Sequence, residues 1–257
     1  MILILGGTTE GRELANSLQE LGYPCILTVT TGLGAKLAGS GLRVLVGELD
    51  NNRLAALINR EDVDLLIDAT HPYALEIKEV AAKVAKELRV PYLRLERPAA
   101  KLPGDPGVIV VPDYRGAAVI LEQGCGGILF TIGVRNLALF QHLWMEKKRP
   151  VWVKIYPEVK SLETCFNLGL HPGQIFAFHG PGDKGLLKAL FAATGAAWIV
   201  TKDGGAAGGV ALKAEAALEM RRKLLVIQRP AAQAEPKLGS VGEVIEFVRN
   251  SGYRIKE

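Results

Sequence analysis

The sequence predicts an α/β protein with mainly parallel sheets, built in two parts of similar size. The chain opens on an apolar run that stops at two glycines and continues as a helical pattern. Strand-like and helix-like patterns then alternate to the end of its 257 residues. A stretch rich in proline and glycine near residue 100 divides this alternation into two series.

Residues 1–15 predict a strand, a tight loop and a helix. Gly6 and Gly7 let the backbone turn sharply and approach a pyrophosphate, while Gly11 lets the helix pack closely on a strand. The helix N-terminus adds N–H donors that attract an anion. Thr8 stands in the middle place of the G-x-G-x-x-G pattern, so the loop is a variant. The candidate cofactor-binding residues of this loop are Gly6, Gly7, Thr8, Thr9, Glu10 and Gly11.

The end of the second predicted strand, at residues 24–31 after a helix at 12–21, bears on the choice of cofactor. Folds that bind NAD carry an acidic residue there for the ribose hydroxyls, but this chain has Thr30 and Thr31, with Lys36 close behind. Hydroxyls and a cation accept a 2′-phosphate, so the sequence favours NADPH. The alternative is that both threonines only end the strand and cap a helix.

A second candidate site follows the fourth strand. The sequence predicts a strand at 43–46, a helix at 52–59 and a buried strand at 63–69, which runs into Asp-Ala-Thr-His-Pro-Tyr-Ala at 68–74. Open parallel sheets bind ligands at the carboxyl ends of their strands, so this turn is expected to lie beside the glycine loop.

The side chains of this turn have both functional and structural interpretations. Asp68, Ala69 and Thr70 are predicted to contact the cofactor. His71 and Tyr73 are candidate proton donors, with water as an equal candidate, because imidazole titrates near neutral pH. Alternatively, Thr70 caps the following helix, and Asp68 and His71 only hold the turn.

Two arginines close the first part of the chain. A helix predicted at 73–88 leads to a strand at 91–95, and Arg94 and Arg97 are placed to bind carboxylates in a bidentate manner. An ion pair with Glu96, or exposure to solvent, is the alternative.

The second part repeats the alternation. Residues 1–98 are predicted to be a cofactor-binding domain, 99–112 a linker and 113–257 a second α/β domain. Its predicted strands are 127–131, 151–156, 174–178, 197–201 and 223–228, and its predicted helices are 136–145, 161–168, 184–193, 210–221 and 241–249. The loop at 201–209 contains four glycines and can form an anion-binding nest that Lys202 or Lys213 completes. A flexible connector is the alternative.

Composition limits the classes of function. The formal net charge is +4 without a block of basic residues, which argues against nucleic acid and favours an acidic small molecule. The three cysteines, Cys25, Cys125 and Cys165, form no C-x-x-C pair, so we expect a reducing compartment and no protein metal site. The apolar run at the start is too short for a signal peptide or a membrane span, and the sequence predicts a cytoplasmic protein.

Several motifs, taken in order, resemble the precorrin-6A reductase family of cobalamin biosynthesis. The string Asp-Ala-Thr-His-Pro-Tyr-Ala is the most specific of them. The matching stretches are residues 4–15, 68–74, 91–98, 130–137, 180–181, 200–205, 208–209 with Lys213, and 227–230.

The resemblance implies hydride transfer from NADPH to an anionic tetrapyrrole, precorrin-6A or its cobalt complex. It also implies two Rossmann-like lobes with mainly parallel sheets and the active site in the cleft between them. A polycarboxylate substrate would account for the cations near strand ends. The residues assigned to substrate on this basis are Arg94, Arg97, Lys202, Asp203, Lys213 and Arg229.

The alternative functions are an NADP-linked enzyme of the short-chain reductase or epimerase type and a non-enzymatic protein that binds NADP(H). A short-chain reductase needs a Tyr-x-x-x-Lys pair, and Lys78 lies one place too far from Tyr73. A non-enzymatic sensor or ligand-binding protein on two Rossmann-like lobes would bind NADP(H) without oxidising it, so an absorbance assay with the tetrapyrrole separates it from a reductase.

Overall fold

The computed structural model describes residues 1–39, 41–205, 208–230 and 236–253. The chain forms two compact units. Unit 1 comprises Met1–Pro98 and Ala231–Glu257, and unit 2 comprises Ala99–Pro230. Each unit contains one six-stranded sheet in which all pairs are parallel, with helices around it, so the predicted α/β class is confirmed.

The elements are numbered in chain order. The strands are β1 (Ile2–Leu5), β2 (Cys25–Val29), β3 (Arg43–Val46), β4 (Leu65–Asp68), β5 (Tyr92–Leu95), β6 (Val108–Val111), β7 (Ile128–Phe130), β8 (Val151–Ile155), β9 (Ile175–Ala177), β10 (Trp198–Lys202), β11 (Lys223–Ile227) and β12 (Lys237–Leu238). The α-helices are α1 (Thr9–Glu20), α2 (Gly32–Leu37), α3 (Asn51–Arg60), α4 (Leu75–Leu88), α5 (Tyr114–Gln123), α6 (His142–Met145), α7 (Val159–Asn167), α8 (Lys184–Thr194), α9 (Val210–Glu219) and α10 (Val241–Asn250). Two 3-10 helices cover Leu137–Phe140 and Pro172–Gln174.

The sheet of unit 1 has the strand order β3-β2-β1-β4-β5-β12. β1 and β4 lie at its centre and are buried at every residue, which explains their continuous apolar sequence. Helices α1 and α10 cover one face of the sheet through residues such as Leu14 and Val244. Helices α3 and α4 cover the other face through residues such as Leu54 and Val84.

The sheet of unit 2 has the order β9-β8-β7-β10-β11-β6. Helices α8 and α9 pack on it through apolar side chains such as Phe191 and Ala214. Phe130 of β7 packs against Phe140, with ring centroids 4.8 Å apart. The helix predicted at 136–145 is divided into a 3-10 turn and α6, which both contribute buried side chains.

Two segments belong elsewhere than the sequence predicted. The predicted linker at 99–112 contains β6, which pairs with β11 in unit 2. The predicted second domain at 113–257 ends with β12 and α10, which belong to unit 1. Local patterns do not reveal strand pairing across more than a hundred residues, and the prolines before β6 obscured its short apolar run. Among the described residues, no helix is long and apolar enough to span a membrane.

Candidate functional site

The three glycines of the β1–α1 loop meet three different steric demands. A Cβ atom on Gly6 would lie 2.7 Å from the carbonyl oxygen of Thr28. Gly7 has a φ of +122°, and no described atom lies within 4 Å of a Cβ built on it. A Cβ on Gly11 would lie 3.1 Å from the Cβ of Ala69, so α1 packs closely on the end of β4. The loop therefore has the form that lets a phosphate approach the backbone.

Thr8, in the middle place of the glycine pattern, joins the loop to the residue after β4. Its hydroxyl accepts a hydrogen bond from Gly11 N at 3.0 Å and so caps α1. The same hydroxyl donates to the carbonyl oxygen of Ala69 at 2.8 Å. A glycine at position 8 would lose both bonds, which gives a physical reason for threonine there.

Glu10 and Arg97 form an ion pair beside this loop. Glu10 lies in the first turn of α1, where the helix dipole favours a carboxylate. Arg97 follows β5 and was predicted to bind a substrate carboxylate. In the structure an internal carboxylate holds it.

Arg94 and Asp68 form a buried ion pair at 2.7 Å, with 1% and 0% of their side chains exposed. Arg94 also approaches Glu96 at 3.5 Å, as the ion-pair alternative for this residue expects. Tyr92 donates a hydrogen bond to Asp68 at 2.9 Å. Burial, together with the charge of Asp68, raises the pKa of the Tyr92 hydroxyl far above its usual range.

The turn at 68–74 precedes α4, which begins at Leu75. Thr70 does not cap this helix; its hydroxyl accepts a hydrogen bond from Arg94 at 3.2 Å. The Nδ1 atom of His71 accepts the N–H of Tyr73 at 3.3 Å, so a neutral ring carries its proton on Nε2. The two rings lie 5.6 Å apart between centroids.

A small, open pocket lies between the glycine loop, this turn and the end of β5. It is lined by Thr8, Glu10, Ala69, Thr70, Pro72, Arg94, Leu95, Glu96 and Arg97. The structure thus brings together two regions that the sequence predicted to be neighbours.

The end of β2 differs from the predicted strand at 24–31, because β2 ends at Val29. Thr31 caps α2 by accepting the N–H of Gly34 at 3.1 Å, which is the structural alternative for this residue. Thr30 is exposed. Residues 29–36 contain no carboxylate.

Three lysines gather at the carboxyl edge of the sheet in unit 2. Lys213 is buried, with 7% of the residue exposed, and its ammonium donates to Thr201 Oγ1 at 3.2 Å and to Gly208 O at 3.0 Å. Burial, together with the charges of Lys154 and Lys202, lowers its pKa to about 7. Burial and the charge of Arg135 lower the pKa of Lys202 to about 8. A bound anion would relieve this mutual repulsion.

Asp203 and Arg229 form an ion pair in the same unit. The guanidinium Nη2 of Arg229 lies 3.1 Å from Asp203 Oδ1 and its Nε lies 3.2 Å from Oδ2. Gly205 N donates to the same carboxylate at 3.0 Å. Burial raises the pKa of Asp203, but these hydrogen bonds outweigh it, so the net pKa is lowered. Ala206 and Ala207 of the glycine loop lie outside the described residues.

Lys154 and Arg135 were not among the predicted site residues. Lys154 lies in β8 and donates to Gly180 O at 2.6 Å, with its ammonium 4.5 Å from the centroid of the Phe178 ring. Burial lowers its pKa. A lysine in an otherwise apolar strand, one residue before its carboxyl end, was the available signal. Within 1–39, 41–205, 208–230 and 236–253, no group of three or more His, Cys, Asp or Glu residues is placed to hold a metal ion.

Comparison with known proteins gives a family match over most of the chain. The family model described as precorrin-6x reductase CbiJ/CobK matches residues 1–249. A cobalt-precorrin-6A reductase of Priestia megaterium is 32% identical over 253 residues, which covers 97% of this chain and 98% of the relative. A cobalt-precorrin-6A reductase of Methanocaldococcus jannaschii is 32% identical over 251 residues, with 97% and 98% covered.

Two further proteins match. A precorrin-6A reductase of Mycobacterium tuberculosis is 37% identical over 145 residues, which covers 54% of this chain and 56% of the relative. A solved structure titled CobK precorrin-6A reductase superposes with a TM-score of 0.81 at 24% identity, covering 99% of this chain and 98% of that one. This likeness shows that the fold is shared.

Proposed function

We propose, from the premise that this chain belongs to the precorrin-6x reductase family CbiJ/CobK, that it reduces precorrin-6A or its cobalt complex to the 6B form with NADPH. The family match over residues 1–249 carries the reductase activity in cobalamin biosynthesis. The choice of cofactor and the roles of individual residues are supported by the geometry of the two units.

The β1–α1 loop suits the pyrophosphate of a dinucleotide. The open space over Gly7 and the N-terminus of α1 fit an anion, and Thr8 fixes the loop on Ala69. When bound, NADPH supplies the hydride. The residues that would hold it are Gly6, Gly7, Thr8, Thr9, Glu10 and Gly11, with Asp68, Ala69 and Thr70 across the pocket.

The preference for NADPH over NADH rests on the end of β2. Thr30 is exposed there, and Thr31 caps α2. A carboxylate would repel a 2′-phosphate, and residues 29–36 have none. Lys36 adds a nearby cation.

The protonation of the ring carbon next to the reduced one needs a donor. His71 is proposed for this role in its imidazolium form. In the neutral form Nδ1 accepts the N–H of Tyr73, and the Nε2–H can serve as a hydrogen-bond donor to the substrate. Tyr73, whose ring lies beside that of His71, is the second candidate, and water is the third.

The carboxylates of the macrocycle are proposed to bind the cations of unit 2. Lys202 and Lys213 are two of these, and Lys154 joins them because its charge lowers the pKa of Lys213. Arg229 would act with its partner Asp203. An acidic tetrapyrrole would keep the lysines protonated, which favours binding.

The deciding experiment supplies the protein with NADPH and either metal-free or cobalt-loaded precorrin-6A, and follows the loss of the nicotinamide absorbance. The relatives matched along their whole length are named for the cobalt complex, so we expect that form to react faster. Failure of both to react would reject the proposal. Tight NADPH binding without oxidation would instead favour a non-enzymatic binding protein.

A further inference from the structure

Arg94 is a buried cation of unit 1 whose guanidinium has several partners. Its guanidinium contacts Asp68 Oδ1 at 2.7 Å and the carbonyl oxygens of Asp68 and Thr70 at 3.2 and 2.9 Å. It also donates to Thr70 Oγ1 at 3.2 Å and approaches Glu96 at 3.5 Å. Only 1% of its side chain is exposed. Its N–H groups donate to the backbone carbonyls of the residues before and after Ala69.

Ala69 lies between the two carbonyls that Arg94 binds, and it also contacts the glycine loop. Its carbonyl oxygen accepts the hydroxyl of Thr8, and its Cβ marks the closest approach of Gly11. The carbonyls of the residues before and after it are both held by Arg94. A shift of the Arg94 guanidinium would therefore move Ala69 and, through Thr8, the loop itself.

We propose that Arg94 is a positioning residue for the dinucleotide, acting through Ala69 and Thr8, and that it does not bind a carboxylate of the tetrapyrrole. This inference rests on the proposed function, because it concerns the same cofactor loop. A buried ion pair is a weak source of stability once its desolvation is counted, so the geometric role accounts better for its place here.

The variant Arg94→Lys keeps the charge and loses the planar fork, which a single ammonium cannot replace. We expect the dissociation constant of NADPH, measured by titration without substrate, to rise by about ten- to a hundredfold, which corresponds to the loss of one hydrogen bond of a charged group from the support of the loop. The KM of the tetrapyrrole at saturating NADPH should stay close to that of the wild type. A raised tetrapyrrole KM with unchanged NADPH binding would overturn the inference.

A matched control is Arg43→Lys. Arg43 also holds a carboxylate with two bonds, at 2.5 and 2.8 Å to Glu61, but it begins β3 at the amino edge of the sheet. NADPH binding should be unchanged in this variant. A loss equal to that of Arg94→Lys would mean that any such lysine substitution disturbs the unit, and the inference would fail.

Tyr92→Phe tests the same role if Arg94→Lys does not fold, and a double variant tests it further if Arg94→Lys folds. Tyr92→Phe removes one hydrogen bond from Asp68 and leaves the ion pair in place, so it should weaken NADPH binding in the same direction by a smaller factor. If Arg94→Lys folds, its combination with Thr8→Val should raise the NADPH dissociation constant by less than the product of the two single factors. The reason is that Arg94 and Thr8 act on the loop through the same residue, Ala69. Unchanged NADPH binding in Tyr92→Phe and Arg94→Lys would refute the positioning role. Absence of NADPH binding in the wild type would refute the proposed function instead.

Discussion

The substitution Lys213→Met tests whether the three neighbouring lysines of unit 2, Lys154, Lys202 and Lys213, destabilise the folded protein by their charge. The ordinary pKa of this ammonium is 10.5, and burial with the charges of Lys154 and Lys202 lowers it to about 7. Keeping the charge in the folded protein below pH 7 therefore costs on the order of 5 kcal/mol, the free energy that corresponds to this change of pKa. Methionine fills a similar volume and has no charge.

The expected gain is smaller than this cost, because Thr201 and Gly208 lose the hydrogen bonds they accept from Lys213. Losing these bonds costs ~1–3 kcal/mol. We therefore expect Lys213→Met to be more stable than the wild type at pH 6 by about 2–4 kcal/mol. Tetrapyrrole affinity should fall in the same variant, since a carboxylate partner is lost.

The sign of the pH dependence follows from the two states. Between pH 7 and 10.5 the unfolded chain holds a proton on Lys213 that the folded protein has released, so the stability of the wild type rises with pH in this window. The variant should lack this contribution, about 1.4 kcal/mol per pH unit for one proton.

The measurement is urea unfolding at pH 6, 7, 8 and 9. Lys101→Met, at an exposed lysine of the same unit, is the control. Its free energy of unfolding should change with pH as that of the wild type does. If the free energy of unfolding changed with pH equally in the wild type and in Lys213→Met, the assignment of a lowered pKa to this lysine would be refuted.

Three other outcomes are expected. Gly7→Asp should abolish NADPH binding, whereas Gly7→Ala, which has the same backbone strain and no charge, should retain part of it; unchanged affinity of the Asp variant in titration would contradict the phosphate loop. Thr30→Asp should weaken NADPH binding more than NADH binding, and equal losses would argue against a 2′-phosphate site at the end of β2. The KM of the tetrapyrrole should rise as the pH rises through about 8, where Lys202 loses its charge, and Lys202→Met should flatten that rise; a profile identical in both would remove Lys202 from the site.

The local signals of unit 1 were strong enough to predict its loop and its turn. Gly6, Gly7 and Gly11 occupy positions whose steric demands are set within a few residues or by the neighbouring strands of a common sheet. Thr8 could not be explained in the same way, because its second partner, Ala69, lies 61 residues further along the chain. Its role becomes visible only when β1 and β4 lie side by side.

The arginines show the same limit more sharply. The sequence placed Arg94 and Arg97 correctly at the end of a strand, where a ligand carboxylate and an internal one are equally good partners. Their partners are Asp68 and Glu10, which are distant in sequence. Polar residues at a strand end thus predict a site. Which of them contact a ligand and which hold the site in place depends on ion pairs with residues distant in sequence, and local patterns do not reveal those.

The exchange of edge strands between the two sheets explains why the domain limits were harder to predict than the strands. β6 follows β5 in the chain, yet β12 pairs with β5, and β6 pairs with β11. The backbone N–H groups of Arg94 and Glu96 donate to Pro236 and Leu238 at 3.0 and 2.8 Å. The backbone of the strand that carries Arg94 is therefore held by the C-terminal segment, which also adds α10 to the core of unit 1. If unit 1 were cut at residue 98, it would lose this support, so this domain is defined by strand pairing and not by a continuous stretch of sequence.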